Sequence, residues 1–390
     1  MRTERLEKIS NILFYIALAI ELILMIVEKS DVPFNLESYV FRVTFVITLV
    51  SVLLKKHSKV EWALIAITWI FTLYCYRVSG KNELLRISTF IMAARDIDLK
   101  KTMKYMLLTM AIGFGIITLL SVTGIYGSLY SVEDFGHGSA NELRYTLGFG
   151  HPNTLFSSYF AVMLVLFWSY GKNLKIWHFG LVTALIIGLY LITNSRTSLL
   201  IGIFTIVLAL VARYLEFFQK SILSYILTAL AVPIGCIWFS VYCAKNSYWI
   251  VYYDNTDWLK RVDDIVTNRI RNLYYGDWNR SGAFETWKLF SDRNSTQFFD
   301  MGWVRMFYWY GIIPTTLIAI LILWFIYRCY RKRDIWTLLL ILSLGLYTLM
   351  EATFVSRYIG RLFILPILAV YIGEVLSSRG ETNAASKPLR

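Results

Sequence analysis

Apolar runs close to 20 residues long recur throughout this 390-residue chain, and about 20 helical residues are what the roughly 30 Å hydrocarbon core of a bilayer requires. Runs centred on residues 9 to 27, 36 to 54, 60 to 77, 82 to 95, 104 to 124, 152 to 170, 174 to 193, 196 to 217, 221 to 241, 303 to 328, 335 to 351 and 357 to 377 predict about twelve transmembrane helices. With 57% hydrophobic residues, the expected fold class is an all-α polytopic membrane protein, a single integral membrane domain over residues 1–390.

Charge placement orients that bundle. The fourth run is short. If it spans, the basic connectors at Lys55, Lys56 and Lys59, at Arg95, Lys100 and Lys101, at Lys172 and Lys175, at Arg213 and Lys220, and at Arg331 to Arg333 all share a face with Arg2, Arg5 and Lys8. By the positive-inside rule that face is the cytoplasm, and both termini belong to it. The formal charge of +13 is largely this bias, so it predicts no nucleic-acid partner. The first run follows Arg2, Arg5 and Lys8 without an A-x-A cleavage site and reads as a retained signal-anchor. Cys75, Cys236, Cys243 and Cys329 form neither a disulfide framework nor a zinc spacing.

Two extracytoplasmic loops are expected, at residues 125–150 and 242–302. The second is too aromatic for a disordered tether. Within it, Phe284, Trp287 and Phe290 recur every three residues from Ser281 to Ser291, which predicts a short interfacial amphipathic helix.

Six predicted spans that enter from the outer face begin with a cation: Arg42, Arg86, His151, Arg196, Arg305, and Arg357 with Arg361. A helix N-terminus is already partly positive, and outer loops are normally poor in Arg and Lys. Cations so placed point to an anionic ligand, with salt bridges to Glu21, Glu37, Glu83 or Glu351 as the competing explanation. In Gly148-Phe-Gly-His151-Pro-Asn153, Pro152 suits a first helical turn and the glycines permit a close backbone approach to a ligand. The result is either a simple capping turn or an anion site in which His151 transfers a proton. Asn194 or Ser195 is placed to cap the helix that Arg196 opens, while Arg196 itself has the planar fork that suits phosphate. Arg357 and Arg361, four apart, would share a helical face and reach one polyanion. Asp300, before the tenth span, suits a helix cap or a general base. Asp96-Ile-Asp98 sits among lysines and reads as a solvated loop. Phosphate-loop, H-E-x-x-H and G-x-S-x-G motifs do not occur.

The order of Gly150-His-Pro-Asn153 opening one span, Thr193-Asn-Ser-Arg-Thr197 opening another, a large outer loop, and then Asp300-Met-Gly-Trp-Val-Arg-Met-Phe-Tyr-Trp-Tyr-Gly-Ile-Ile313 resembles the Wzy-type polysaccharide polymerases of the O-antigen polymerase and ligase superfamily, over roughly residues 80 to 377. That resemblance implies a GT-C-like glycosyltransferase of the bacterial cytoplasmic membrane, working at the outer face on polyprenyl-pyrophosphate-linked oligosaccharide, with no cofactor, metal or nucleotide sugar. One lipid-linked glycan is transferred to another repeat unit. Arg86, Arg196, Arg305, Arg357 and Arg361 would hold the departing pyrophosphate, and Asn153, Trp278 and Trp287 the sugar. Related ligases carry a His-Asn-like pair where this chain has Asp300-Met301. The base therefore remains open among Asp300, His151 and Glu351, and the difference favours polymerase over ligase. A chain-length regulator and a flippase are partners implied by the family alone. The alternatives are a ligase with the same donor, and a flippase or transporter, which would carry its charges along a central path.

Overall fold

The computed structural model describes residues 2–133, 142–252, 258–275 and 282–385, about 77% of the chain being helical. The chain begins with α1 (Arg2–Glu28), α2 (Glu37–Leu54), α3 (Lys59–Ser79), α4 (Glu83–Ala93) and α5 (Leu99–Val122). A hairpin of β1 (Tyr130–Glu133) and β2 (Glu142–Tyr145) follows, antiparallel with Tyr130 opposite Tyr145. Next come α6 (Pro152–Tyr170), α7 (Ile176–Thr193), α8 (Arg196–Tyr214), the short α9 (Glu216–Lys220), and α10 (Ile222–Ala229) running through a π-helical segment into α11 (Ile237–Tyr252). That segment contains Pro233, whose missing N–H the wider turn accommodates. Then follow α12 (Trp258–Ile265), α13 (Asn272–Tyr275), α14 (Gly302–Tyr310), α15 (Ile312–Lys332), α16 (Ile335–Met350) and α17 (Leu365–Ala385).

Among the described residues nine helices are long and apolar enough to cross a membrane, and α16 and Leu365–Ser377 are shorter apolar helices. Side chains such as Ile67, Ile70, Leu191 and Leu200 lie largely exposed on them, as lipid-facing surfaces require. The chain is a multi-pass membrane protein.

Its elements depart from the expected runs at four places. Helix α4 has 11 residues, a rise of roughly 16 Å, too short to span alone. It still returns the chain to the lysine-bearing end, because Arg95 donates to the Lys56 carbonyl (2.5 Å) and pairs with Glu61 (2.8 Å). The tenth run is broken at Gly311, whose φ of +96° ends α14. The twelfth forms a regular helix only from Leu365, so Arg357 and Arg361 do not share a helical face. Residues 351–364 instead wrap over α1, where Gly360 sits so close that a Cβ would lie 2.5 Å from the Glu21 carbonyl oxygen.

The fourth departure is at 281–291, of which residues 282–291 are described and form no amphipathic helix beyond a 3-10 turn at Phe284–Thr286. Tertiary packing overrides the threefold spacing. Trp287 stacks on Phe307 (4.6 Å, 2° between planes), and Phe290 meets Tyr74 edge-on at 5.0 Å. The backbone of this segment accepts from α15: Ile312 N–H donates to Lys288 O (2.9 Å) and Ile313 N–H to Leu289 O (3.0 Å). Gly311 makes that approach possible, since a Cβ there would stand 2.7 Å from Leu289 O.

The basic connectors gather at one end. Lys100, Lys104, Lys172, Lys332 and Arg333 line a common cavity there. The hairpin, the α12–α13 segment and the starts of α6 and α8 lie at the opposite end, where most of the candidate site residues converge.

Candidate anion-binding site

A cavity of about 1040 Å³ at that opposite end is lined by residues far apart in sequence, from Glu28 at the end of α1 to Arg361 before α17. Of the residues singled out from sequence, it brings together His151, Asn153, Arg196, Asp300, Arg305, Glu351, Arg357 and Arg361. Arg86, Trp287 and Arg42 are placed elsewhere, and Trp278 lies outside the described residues.

Arg305 is the most informative of these. Every residue of α14 is buried, and its Gly302 packs so tightly that a Cβ would stand 2.6 Å from the Thr348 methyl. Arg305 is carried inside with the helix, at 7% exposure, and its Nε has no hydrogen-bond partner. Aromatic faces flank the guanidinium, Trp309 at 3.6 Å and Phe298 at 4.1 Å. Ring faces stabilise a cation without neutralising it, so the guanidinium is left able to take an anion from the cavity. Arg196 and Arg357 are exposed at the cavity and have no carboxylate within ion-pair distance among the described residues.

Arg361 and Arg86, by contrast, are paired. Arg361 is bound to Glu28, and so is not neutralised by Glu351. Arg86 pairs with Glu21 at 2.8 Å, both almost wholly buried, and donates to the Arg357 carbonyl at 2.8 Å. It positions the Arg357 backbone from behind the cavity. Phe41 covers it at 3.7 Å.

Arg269 has no distinctive sequence context, yet it stands at the centre of the site. It binds Glu351, and its Nε lies 3.7 Å from Asp300. Glu351 also accepts from Asn153 Nδ2 (2.9 Å), whose Oδ1 accepts from Ser195 Oγ (2.6 Å). Asp263 sets the turn that delivers Arg269. Wholly buried, it accepts the N–H groups of Ile270 (2.7 Å) and Arg271 (3.1 Å) and pairs with the Arg271 side chain (2.6 Å), while Thr267 and Asn268 take left-handed conformations. Of the Arg269-Ile-Arg271 alternation, one guanidinium satisfies Asp263 and the other binds Glu351.

Local structure also settles several capping roles. His151 caps α6, its Nδ1 accepting the Asn153 N–H at 3.2 Å. If neutral, the ring then carries its proton on Nε2. Burial lowers its proton affinity, against the opposing pull of Glu133 and Asp300. Gly150 accommodates Asp31 rather than a ligand, since a Cβ would stand 3.0 Å from Asp31 Oδ1. Asn194, at φ +53°, ends α7, and Ser195 makes no side-chain cap to α8. Asp300 does not cap α14 either; half-exposed, it faces the cavity. Asp98 caps α5 by accepting the Lys101 N–H.

No protein-family model, curated protein or solved structure matches this chain. The chemistry of the site has to be read from its own geometry.

That geometry combines unpaired guanidinium groups with several carboxylates, Asp300 and Glu351 among them. Burial pushes the Glu351 carboxyl, just past the end of α16, up to about 7, against the pull of Arg269 and with the help of Asp300. A carboxyl that changes charge near neutrality can exchange a proton with a ligand. An apolar cavity of about 250 Å³, walled by residues such as Leu321, Phe325 and Leu368, shares Ser356 and Arg361 with the polar one. Polar and apolar spaces therefore adjoin.

Proposed function

We propose that this chain is a metal-independent polysaccharide polymerase of the bacterial cytoplasmic membrane. It transfers a polyprenyl-pyrophosphate-linked glycan onto another lipid-linked repeat unit at the outer face. The observation that carries this reading is the buried, unpartnered Arg305, converging with Arg196 and Arg357 on one cavity that also holds Asp300 and Glu351. Planar guanidinium forks match pyrophosphate oxygens, and the adjoining apolar cavity suits a ligand with a hydrocarbon part.

In the proposed reaction the acceptor hydroxyl attacks the anomeric carbon of the donor. Its proton passes to Glu351, the new glycosidic C–O bond forms, and the bond from the anomeric carbon to the pyrophosphate oxygen breaks. Both electrons of that bond leave with the lipid pyrophosphate. Arg196, Arg305 and Arg357 stabilise the charge that develops there. Asn153, fixed by Ser195 and Glu351, is left to orient a sugar hydroxyl.

Gels of lipid-linked and surface glycans, from cells lacking this chain and supplied with either wild type or Arg196→Ala, test the reading. Single repeat units should accumulate, and only the wild type should restore a ladder. A ladder made normally by Arg196→Ala would count against the site. Lipid-linked polymer that fails to reach its final acceptor would indicate a ligase, and loss of single units from the outer leaflet a transporter.

A further inference from the structure

A second cavity, of about 1000 Å³, lies on the other flank of Arg357. It is formed by the start of α2, the end of α3, the start of α4 and the segment before α14. Arg357 and Glu37 line both cavities, while Arg42, Arg77, Lys81 and Arg293 line only the second. We propose that it is a separate binding site for a lipid-borne phosphate headgroup.

The charges are arranged for a ligand rather than for one another. Arg42, Arg77 and Arg293 have no carboxylate within ion-pair distance among the described residues. Lys81 donates to the Asp292 carbonyl at 3.2 Å. Two carboxylates line the cavity, and Glu37 already accepts from Tyr358 at 2.5 Å. The other is Glu83, at 8% exposure, whose Oε2 has no partner. A buried acceptor lacking a donor is costly, and a ligand hydroxyl next to the phosphate would satisfy it. Three exposed guanidinium groups without a carboxylate line one space, a setting that favours an anion.

The position of Arg293 is built. Its stem lies over Gly80, where a Cβ would stand 3.4 Å from Arg293 Cγ, and Phe290 and Lys81 tie the flanking segment to the end of α3. The walls extend toward the lipid. Tyr76, which lines the cavity, is exposed, as are Tyr39 and Val43 on α2 and Tyr74 on α3, the helices whose ends form it, so a headgroup whose tail remains in the bilayer can enter from the side. Combined with the polymerase reading, on which the assignment itself does not depend, this cavity would take the second lipid-linked substrate, and Arg357 would stand between the two phosphates.

Calorimetric titration of the full chain in detergent, with a short-chain polyprenyl pyrophosphate as probe, tests the assignment. The wild type should bind two equivalents. Arg42→Ala with Arg293→Ala should lose one of them, weakened tenfold or more, while Arg196→Ala should weaken the other. A charge-keeping Arg42→Lys with Arg293→Lys variant should retain partial binding, which separates lost charge from lost fold. One equivalent in the wild type, or two undiminished in the Arg42/Arg293 alanine variant, would overturn the proposal. Inorganic pyrophosphate binding the second cavity as tightly as the lipid would overturn its lipid specificity. Two equivalents together with a normal glycan ladder from Arg196→Ala would leave this site standing and remove the polymerase reading.

Discussion

Arg86 and Arg305 are both arginines at helix starts, yet their surroundings give them opposite roles. Arg86 found the intramembrane carboxylate Glu21, whereas Arg305 found only aromatic faces. Both had looked alike because sequence shows the type of a residue and not its partner. Arg86→Ala should leave Glu21 buried and uncompensated, costing about 3–5 kcal/mol. Thermal unfolding should show Glu21→Leu with Arg86→Leu to be less destabilised than Arg86→Ala alone. Glu351 supplies a pH signature. As a base its carboxyl works when deprotonated, so the transfer rate should rise with pH until a little above 7 and then level. Glu351→Gln should flatten that limb and lower the rate by about 10²–10⁴; an unchanged pH profile in this variant would assign the proton transfer elsewhere.

Elements decide how the site is held. The turn after α12 delivers Arg269 because Asp263 gathers the N–H groups of Ile270 and Arg271. Asp263→Ala would strand these donors at about 1–3 kcal/mol each for those left buried and unpaired. The expected outcome is a lower unfolding temperature together with lost transfer, with inorganic pyrophosphate affinity much less affected. Gly311 plays a comparable part between α14 and α15, against the 288–291 segment. Gly311→Ala meets both the positive φ and the 2.7 Å approach to Leu289 O, so it should loosen the Trp287–Phe307 stack, read as a change in tryptophan fluorescence. The segment around Trp287 shows why periodicity misled. A threefold aromatic spacing predicts an amphipathic helix only when a surface is available to it. Here the rings are consumed by α3 and α14, and the backbone hydrogen bonds by α15.

At the scale of the whole molecule, charge asymmetry separates the two ends of the bundle, lysine-rich connectors at one and the cationic cavities at the other. All four native thiols are buried, so single cysteines introduced at exposed positions should dominate labelling. A membrane-impermeant maleimide applied to intact cells should label Leu143→Cys on the hairpin and spare Lys100→Cys, and the reverse pattern would invert the proposed orientation. Hydropathy and charge alone determined the helical membrane class, the positions of most long helices and the gathering of basic connectors, because burial in lipid and the positive-inside bias act on composition over windows of many residues. The cysteines were likewise legible as structural, whereas Asp98, expected in a solvated loop, caps α5. What tertiary structure alone decided was which cations remain unpaired, that Arg269 joins Glu351 to Asp300, that α4 is short, that α14 and α15 break at Gly311, and that two cavities meet at Arg357. The physical reason is that a charge is either neutralised or left available by whatever lies within about 4 Å of it in space, and no spacing along the chain fixes that distance.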